Sequence, residues 1–219
     1  MATNNINNNN IIIRNVTSED IHDIVELQKQ SFPIMAKDGV IWHEHHLDSH
    51  IKIFPEGQFC AELGGKIIAS SSSLVTSLTP DYQEHTWTQA TAYGMFTNHT
   101  LKGDSLYGAD ISTHPDSRGL GIATMLYDAR KDLVVELNLR RMIAGGRLFN
   151  YRDYANRMSA QEYAGKVAKG ELKDLVLTFQ LNNGFKFIKI LPNYMKDSRS
   201  LNYASFIEWI NPKYVPQKK

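Results

Sequence analysis

The stretch from Asp110 to Ala123 holds two glycines, Gly119 and Gly121, in a turn between a strand-like run and a helix-like run. Without side chains at these glycines the backbone can approach an anion closely, and the first N–H groups of the following helix have no partner inside it. The helix dipole adds partial positive charge at the same place. The turn therefore suits a phosphate group, although glycine at a helix start also serves tight strand–helix packing.

Hydrophobic periodicity predicts the elements that would position this turn. Leu106 to Thr113 alternates as a strand. A helix pattern follows, with apolar residues at steps of four, three, four and four: Ile122, Leu126, Ala129, Leu133 and Leu137. Asn138 is a residue type that stops helices in the left-handed conformation, and Arg140 to Arg147 reads as the next strand. The order is strand, glycine turn, helix, strand.

The flanking sequence predicts hairpins and further helices. Gly64-Gly65 separates two strand-like runs, which is a strong hairpin signal because glycine tolerates positive φ. The remaining predicted strands are Ile11 to Val16, Gln58 to Leu63, Lys66 to Leu78, Phe185 to Ile190 and Asn202 to Ile210. The remaining predicted helices run from Thr17 to about Pro33, from Trp42 to Ile53, from Ser159 onward and from Leu175 to Asn182, the last capped by Asp174. Trp87 to Tyr93 could form a further short helix.

A dinucleotide-binding unit is the first alternative for such an order. Its fingerprint needs three glycines in the pattern Gly-x-Gly-x-x-Gly, and here Thr124 stands where the third is required. The antiparallel hairpin before the turn is also foreign to that fold. The sequence therefore argues against a dinucleotide site.

The pattern Arg118-x-x-Gly121-x-Ala123 after a strand end resembles the coenzyme A signature of the GNAT superfamily of N-acyltransferases. Asn183-Gly184-Phe185 at a helix end is a second point of resemblance, and the element order from Ile11 to Ile210 fits the superfamily. Some proteins carry an acetyltransferase module fused to a carbon–nitrogen hydrolase, and three short segments of this sequence are similar to that module: Ala144 to Arg147, Arg157 to Ala160 and Leu177 to Gln180. A sequence of this length has no room for the hydrolase.

The resemblance implies an α/β (α+β) fold in a single GNAT-like domain. Its central sheet would be mixed, mostly antiparallel and twisted, with about six or seven strands flanked by helices and with splayed parallel strands at the acetyl-CoA site. We expect this domain to span residues 11–212, between a disordered Asn-rich tail at residues 1–10 and a C-terminal tail at residues 213–219.

The resemblance also implies acetyl-CoA as cosubstrate, with no metal. The pyrophosphate would bind to the turn: Arg118, Gly119, Leu120, Gly121, Ile122 and Ala123. The pantetheine arm would lie along Ile111, Ser112 and Thr113, where main-chain groups of Ile111 and Thr113 would pair with it like an added strand.

The reaction would be direct attack of a neutral amine on the thioester in a ternary complex. Asp110 is the first candidate for the base and Tyr107 the second, although Asp110 could equally be a structural anchor. A backbone N–H near Ile111 could bind the developing oxyanion. Many superfamily members carry a tyrosine that protonates the leaving thiolate where this chain has Gln180, so Tyr154 or solvent would have to replace it.

These expectations describe an N-acetyltransferase acting on a primary amine of a small molecule. The alternatives are a catalytically weak acyl-CoA-binding sensor or partner subunit, kept open by Gln180, and a protein or peptide amine acetyltransferase. The irregular stretch from Thr79 to Gly103 is expected to line the acceptor pocket, with four candidate side chains: Tyr82, Glu84, His85 and Trp87.

Composition excludes several partner classes. With 24 basic and 23 acidic residues the formal charge is +1, which favours neither nucleic acid nor an anionic membrane. The single cysteine, Cys60, and the lack of a signal-peptide pattern or a long apolar run predict a cytoplasmic protein. The histidines between His43 and His50 lack the zinc-protease order, which favours a polar helix face or a substrate-side lining over a metal site. The closing strands could pair in a homodimer.

Overall fold

The computed structural model describes residues 10–216. Most of the predicted Asn-rich tail and the last three residues of the predicted C-terminal tail lie outside the described residues. The described chain divides into two compact units. The first comprises residues 10–72 and 110–129, and the second comprises residues 73–109 and 130–216. The strand that carries Tyr107 and Asp110 contributes residues to both units.

The secondary structure consists of seven strands and seven α-helices within residues 10–216. The strands are β1 (Ile11–Asn15), β2 (Gln58–Leu63), β3 (Lys66–Thr76), β4 (Ser105–Thr113), β5 (Arg141–Arg147), β6 (Lys186–Leu191) and β7 (Ala204–Ile210). The helices are α1 (Ile21–Ser31), α2 (Pro33–Lys37), α3 (Glu44–Ile53), α4 (Trp87–Ala90), α5 (Ile122–Glu136), α6 (Ala160–Ala168) and α7 (Leu177–Asn182).

The strands form one sheet in the order β1-β2-β3-β4-β5-β7-β6, flanked by helices. β2 pairs antiparallel with β1 and β3, and β7 pairs antiparallel with β5 and β6. β4 and β5 are parallel. The predicted mixed, mostly antiparallel sheet is confirmed.

In the first unit, β2 and β3 form the hairpin that the Gly64-Gly65 pair predicts. Gly64 and Gly65 adopt φ of +58° and +77°, which closes the turn between the two strands. The core of this unit packs β1, β2 and β3 against the start of α5, with six buried residues: Ile11, Ala61, Ile68, Ala69, Ile122 and Leu126. The apolar stripe predicted for α5 therefore begins on the core face.

In the second unit, the parallel pairing of β4 with β5 runs from Ser105 and Arg141 to Gly108 and Ala144. β5 continues beyond that point, paired with β7 as far as Arg147. The backbone of Gly145 and Gly146 therefore lies past the end of the β4 ladder. Asn138, at φ +49°, ends α5 in the left-handed conformation as predicted.

Asp174 caps the start of α7 as predicted, because its Oδ1 accepts hydrogen bonds from the N–H groups of Val176 and Leu177. The four serines from Ser70 to Ser73 in β3 are buried.

Candidate active site

The glycine turn lies in the first unit, between β4 and α5. Gly119 and Gly121 have φ of +82° and +77°, a conformation that residues with side chains rarely adopt. The Gly121 carbonyl accepts the first helical bond, from the Met125 N–H at 3.1 Å. A Cβ built on either glycine would meet nothing within 4 Å, so the space in front of this backbone is open. Such a turn can receive a phosphate group at a helix start.

The other residues of the turn divide between surface and core. Arg118 is exposed, Ile122 is buried, and Ala123 is half-buried. Leu120 packs against the core cluster of the first unit, as does Ile111 from β4. The side chains thus anchor the segment, while main-chain groups remain to bind a ligand.

Helix α1 is fastened to β4 and to the turn by polar contacts. The Gln28 amide donates to Asp110 Oδ2 at 2.7 Å and to Ser112 Oγ at 3.2 Å. The Ser31 hydroxyl donates to the Thr113 carbonyl, and Arg118 Nη2 donates to the Ser31 carbonyl, both at 3.1 Å. The Thr113 carbonyl keeps a second lone pair, so pairing with an added ligand strand stays compatible with this contact.

Asp110 and Tyr107, the two sequence candidates for the base, belong to different hydrogen-bond networks. Asp110 is half-buried and faces the Gln28 amide of α1. Tyr107 is fully buried in the second unit, where its hydroxyl lies 2.9 Å from His85 Nε2 and 2.9 Å from the Tyr194 hydroxyl. The network around Tyr107 contains a histidine, His85.

The direction of the hydrogen bonds around His85 follows from one main-chain group. His85 Nδ1 lies 2.8 Å from the Gln83 carbonyl, which can only accept, so Nδ1 carries the proton. In the neutral ring Nε2 is then an acceptor, and the Tyr107 hydroxyl donates to it. Tyr107 can in turn accept from Tyr194.

Burial controls the ionisation of His85, Tyr107 and Tyr194. Desolvation lowers the pKa of His85 below its ordinary value; Lys189 acts in the same direction, and the Gln83 carbonyl opposes it. Desolvation raises the pKa of Tyr107 well above its ordinary value, and it also raises the pKa of Tyr194. Near neutral pH the resting group is therefore an uncharged imidazole with two intact phenols.

Two side chains cover the glycines at the free end of β5. A Cβ at Gly145 would lie 2.2 Å from Tyr194 Cζ, and the Gly145 N–H is a hydrogen-bond partner of the Tyr194 hydroxyl. A Cβ at Gly146 would lie 2.2 Å from Gln180 Oε1. Gln180 is buried, and its Oε1 makes no hydrogen bond. The residue that stands where a tyrosine was expected thus contacts β5 directly.

The irregular stretch between β3 and β4 supplies contacts to β4 and its neighbours. Trp87 Nε1 donates to the Ala109 carbonyl at 3.0 Å, and Tyr82 donates to Glu208 at 3.0 Å. Glu84 lies 3.6 Å from the Lys189 ammonium. Tyr154, considered for the general acid, packs its ring against Tyr163 at 5.0 Å.

The histidines near α3 serve the helix itself. His46 Nδ1 accepts from the His43 backbone N–H at 3.1 Å, which closes a capping box at the start of α3. Burial and the neighbouring His45 and His43 lower the pKa of His46 to about 4. Across residues 10–216, His, Cys, Asp and Glu side chains form no group of three placed to hold a metal ion.

Two further observations concern Cys60 and the helices. Cys60 is fully buried, and burial raises the pKa of its thiol to about 11. None of the helices between residues 10 and 216 has the length and hydropathy that a membrane crossing requires.

Sequence reasoning missed Tyr194 and Gln28. Tyr194 follows Pro192 in a loop, and no periodicity or motif separates it from the other tyrosines of the chain. Gln28 falls on the buried face of α1, where a lone glutamine among apolar residues was a usable signal for a buried polar contact.

Curated relatives align with almost the whole chain. The probable hydrolase YhcX of Bacillus subtilis is 45% identical over 209 residues, which cover 95% of this chain and 40% of YhcX. The chain thus spans less than half the length of that relative. The uncharacterized N-acetyltransferase YkwB of Bacillus subtilis is 41% identical over 204 residues, which cover 93% of this chain and 90% of YkwB.

Solved structures share the fold at low sequence identity. The loading GNATL domain of CurA from Lyngbya majuscula superposes with a TM-score of 0.78 at 21% identity, covering 92% of this chain and 98% of that chain. The structure of yncA, a putative acetyltransferase from Salmonella typhimurium solved with its cofactor acetyl-CoA, gives a TM-score of 0.56 at 14% identity, covering 94% and 97%.

The family model of the Acetyltransferase (GNAT) family matches residues 21–155, from the start of α1 to beyond β5. This range contains the glycine turn, the contacts that fasten α1 to β4, and Tyr107. The chain belongs to the GNAT family of acetyltransferases, which is an acyltransferase family.

Proposed function

We propose that this chain transfers the acetyl group of acetyl-CoA to a primary amine of a small molecule, by direct attack in a ternary complex. The observation that carries the proposal is the open glycine turn at the start of α5, with positive φ at Gly119 and Gly121. The yncA structure, solved with acetyl-CoA, supports coenzyme A as the cosubstrate. The acceptor class rests on the near-neutral charge of the chain.

In this proposal the donor binds mainly through the backbone. N–H groups from Gly119 to Ala123 bind the pyrophosphate, where the helix dipole adds favourable potential. Main-chain groups of Ile111 and Thr113 pair with the pantetheine arm. Arg118, already tethered to the Ser31 carbonyl, keeps the turn in position beside α1.

Donor binding is tested by calorimetry with acetyl-CoA on Gly121→Asp, which places a side chain and a negative charge in the phosphate position. Gly65→Asp is the matched control, because Gly65 has the same φ of +77° and equally open surroundings in the β2–β3 turn. We expect Gly121→Asp to weaken binding by about tenfold or more, equivalent to at least about 1.4 kcal/mol, and Gly65→Asp to leave it unchanged. Equal affinities in both variants would refute the site.

Turnover is tested by the release of free coenzyme A thiol across a panel of small primary amines and short peptides with free N-termini. The only cysteine of the chain, Cys60, is fully buried, which keeps the background of a thiol reagent low. Release with small amines supports the proposal. Release with peptides alone would make the chain a protein or peptide acetyltransferase.

A non-catalytic acyl-CoA sensor is the second candidate, and Gln180 favours it. Glutamine cannot release a proton near neutral pH, and this one is buried against Gly146 where a proton donor was expected. Tight acetyl-CoA binding with no thiol release on any amine would support the sensor and reject the transferase.

A further inference from the structure

The second unit contains a continuous chain of hydrogen bonds that leads from β5 to a histidine. It begins at the Gly145 N–H, passes through the hydroxyls of Tyr194 and Tyr107, and reaches His85 Nε2. The two internal contacts are both 2.9 Å long. Tyr107 and Tyr194 are buried, while His85 is half-buried. Phenol and imidazole groups at such distances can pass a proton along by successive transfers.

We propose that His85 is the group that takes up and returns the proton during acetyl transfer, reached through Tyr107 and Tyr194. This inference rests on the proposed transferase function and deepens it. It assigns Tyr107 a role different from that of a base acting alone, because a buried phenol beside a neutral imidazole passes a proton on. Of the three side chains in this relay, His85 is the one with a ring nitrogen, Nε2, that can take up a proton.

The proton movement is balanced over one turnover. The amine nitrogen forms a bond to the acyl carbon and then loses a proton to the Tyr194 oxygen. Tyr194 passes its own proton to Tyr107, and Tyr107 passes its proton to His85 Nε2. When the carbon–sulfur bond breaks, the same steps in reverse deliver one proton to the departing thiolate. The products are a neutral amide and the free thiol, and His85 is neutral again.

Tyr194 brings a hydroxyl to β5, the strand that Gln180 also contacts. The Tyr194 ring lies against Gly145, and the Gln180 amide lies against the next residue, Gly146. Successive residues of a strand point to opposite faces, so the two side chains approach β5 from opposite sides. A proton donor is therefore present at this strand, supplied from the segment between β6 and β7.

The surroundings of His85 keep it neutral at rest. The rings of Tyr107, Tyr194 and Phe206 pack around it. The ammonium of Lys189 in β6 disfavours the imidazolium, and the Glu84 carboxylate lies 3.6 Å from that ammonium. Acid therefore inactivates the relay, because a protonated Nε2 can no longer accept from Tyr107.

The test compares His85→Gln, Tyr107→Phe and Tyr194→Phe with wild type, using the best amine found in the panel. Tyr151→Phe is the matched control, since Tyr151 lies in the same unit and its hydroxyl donates to the Met158 carbonyl at 3.3 Å, outside the relay. We expect each relay variant to lower kcat by about 100-fold or more, with acetyl-CoA affinity unchanged and the Tyr151→Phe rate within about threefold of wild type. The double variant Tyr107→Phe, Tyr194→Phe should be no slower than either single variant.

A pH profile separates a relay from a structural role. The ratio of wild-type to His85→Gln rate cancels the titration of the amine itself, and we expect this ratio to fall as the pH drops below about 6.5. A ratio that stays constant from pH 8 down to the pH at which the protein unfolds, or His85→Gln within about threefold of wild type, would overturn the inference. Wild type that binds acetyl-CoA but acetylates no amine would refute the proposed function, and the inference with it.

Discussion

Asp110 makes the kind of contact that a structural anchor makes. Its carboxylate accepts from the buried Gln28 amide, and the same amide donates to Ser112, so one side chain of α1 fixes two positions of β4. The sequence alone offered both roles for Asp110. The contact with Gln28 favours the structural role, because a buried amide without an acceptor carries a free-energy penalty.

Asp110→Asn is therefore expected to keep kcat within about threefold of wild type, since the asparagine oxygen still accepts from Gln28. Asp110→Leu removes that acceptor and should lower the free energy of unfolding by about 1–3 kcal/mol. Steady-state kinetics and urea unfolding check the pair. A 100-fold loss in the Asn variant alone would restore Asp110 as the base.

Alanine substitutions at Gly145 and Gly146 should differ in their effect on stability, because different side chains cover the two glycines. Gly145→Ala places a Cβ against the Tyr194 ring, which is rigid, whereas Gly146→Ala meets the end of the flexible Gln180 side chain. We expect Gly145→Ala to cost about 1–3 kcal/mol of unfolding free energy and Gly146→Ala distinctly less. Urea unfolding of both variants measures the difference, and equal costs would contradict a rigid Tyr194.

The link between β1 and the start of α1 is an ionic contact whose strength depends on pH. Arg14 donates to both carboxylate oxygens of Asp20, and Asp20 also accepts from the Thr17 N–H. The hydrogen bond from Arg14 is the main cause that lowers the pKa of Asp20 to about 2, against the opposing effect of burial.

Because this pKa is lowered on folding, the stabilisation is present above about pH 3.9 and is lost as the pH falls toward 2. Asp20→Asn should therefore destabilise the protein by about 2 kcal/mol at pH 7 and hardly at all at pH 2. Chemical unfolding at both pH values checks this. Glu26→Gln is the control, since Glu26 forms an exposed pair with Lys29. A loss that is the same at both pH values would contradict the ionic origin.

Over the whole molecule, local signals predicted nearly all elements and long-range contacts defined the candidate site. Glycine pairs, capping residues and apolar periodicity act between near neighbours, so β4, the turn and α5 were predicted within a few residues of their bounds. The short helix α2 was not predicted. Tyr107 meets Tyr194 across 87 residues, and Gln28 meets Asp110 across 82. No single-sequence pattern encodes which distant side chains will face each other.

A buried ion pair links neighbouring strands of the second unit. Arg141 of β5 is buried and donates to Glu208 of β7 at 2.8 Å, to Ser105 of β4 at 2.9 Å, and to Asp81. Arg141→Leu leaves the buried Glu208 carboxylate without this partner and should cost about 3–5 kcal/mol of unfolding free energy. Adding Glu208→Leu should recover part of that loss. Thermal and urea unfolding measure both variants, and an additive loss in the double variant would contradict the coupling.

The Gln83 carbonyl lies outside the sheet but determines the direction of every hydrogen bond between His85 and Tyr194. It alone holds the proton of the His85 ring on Nδ1 and so sets the direction in which Tyr107 points its hydroxyl. If the loop moved this carbonyl away, the ring could carry its proton on Nε2, and every hydroxyl back to Gly145 would have to reverse. The position of one exposed turn thus selects between two opposite polarities of a buried network.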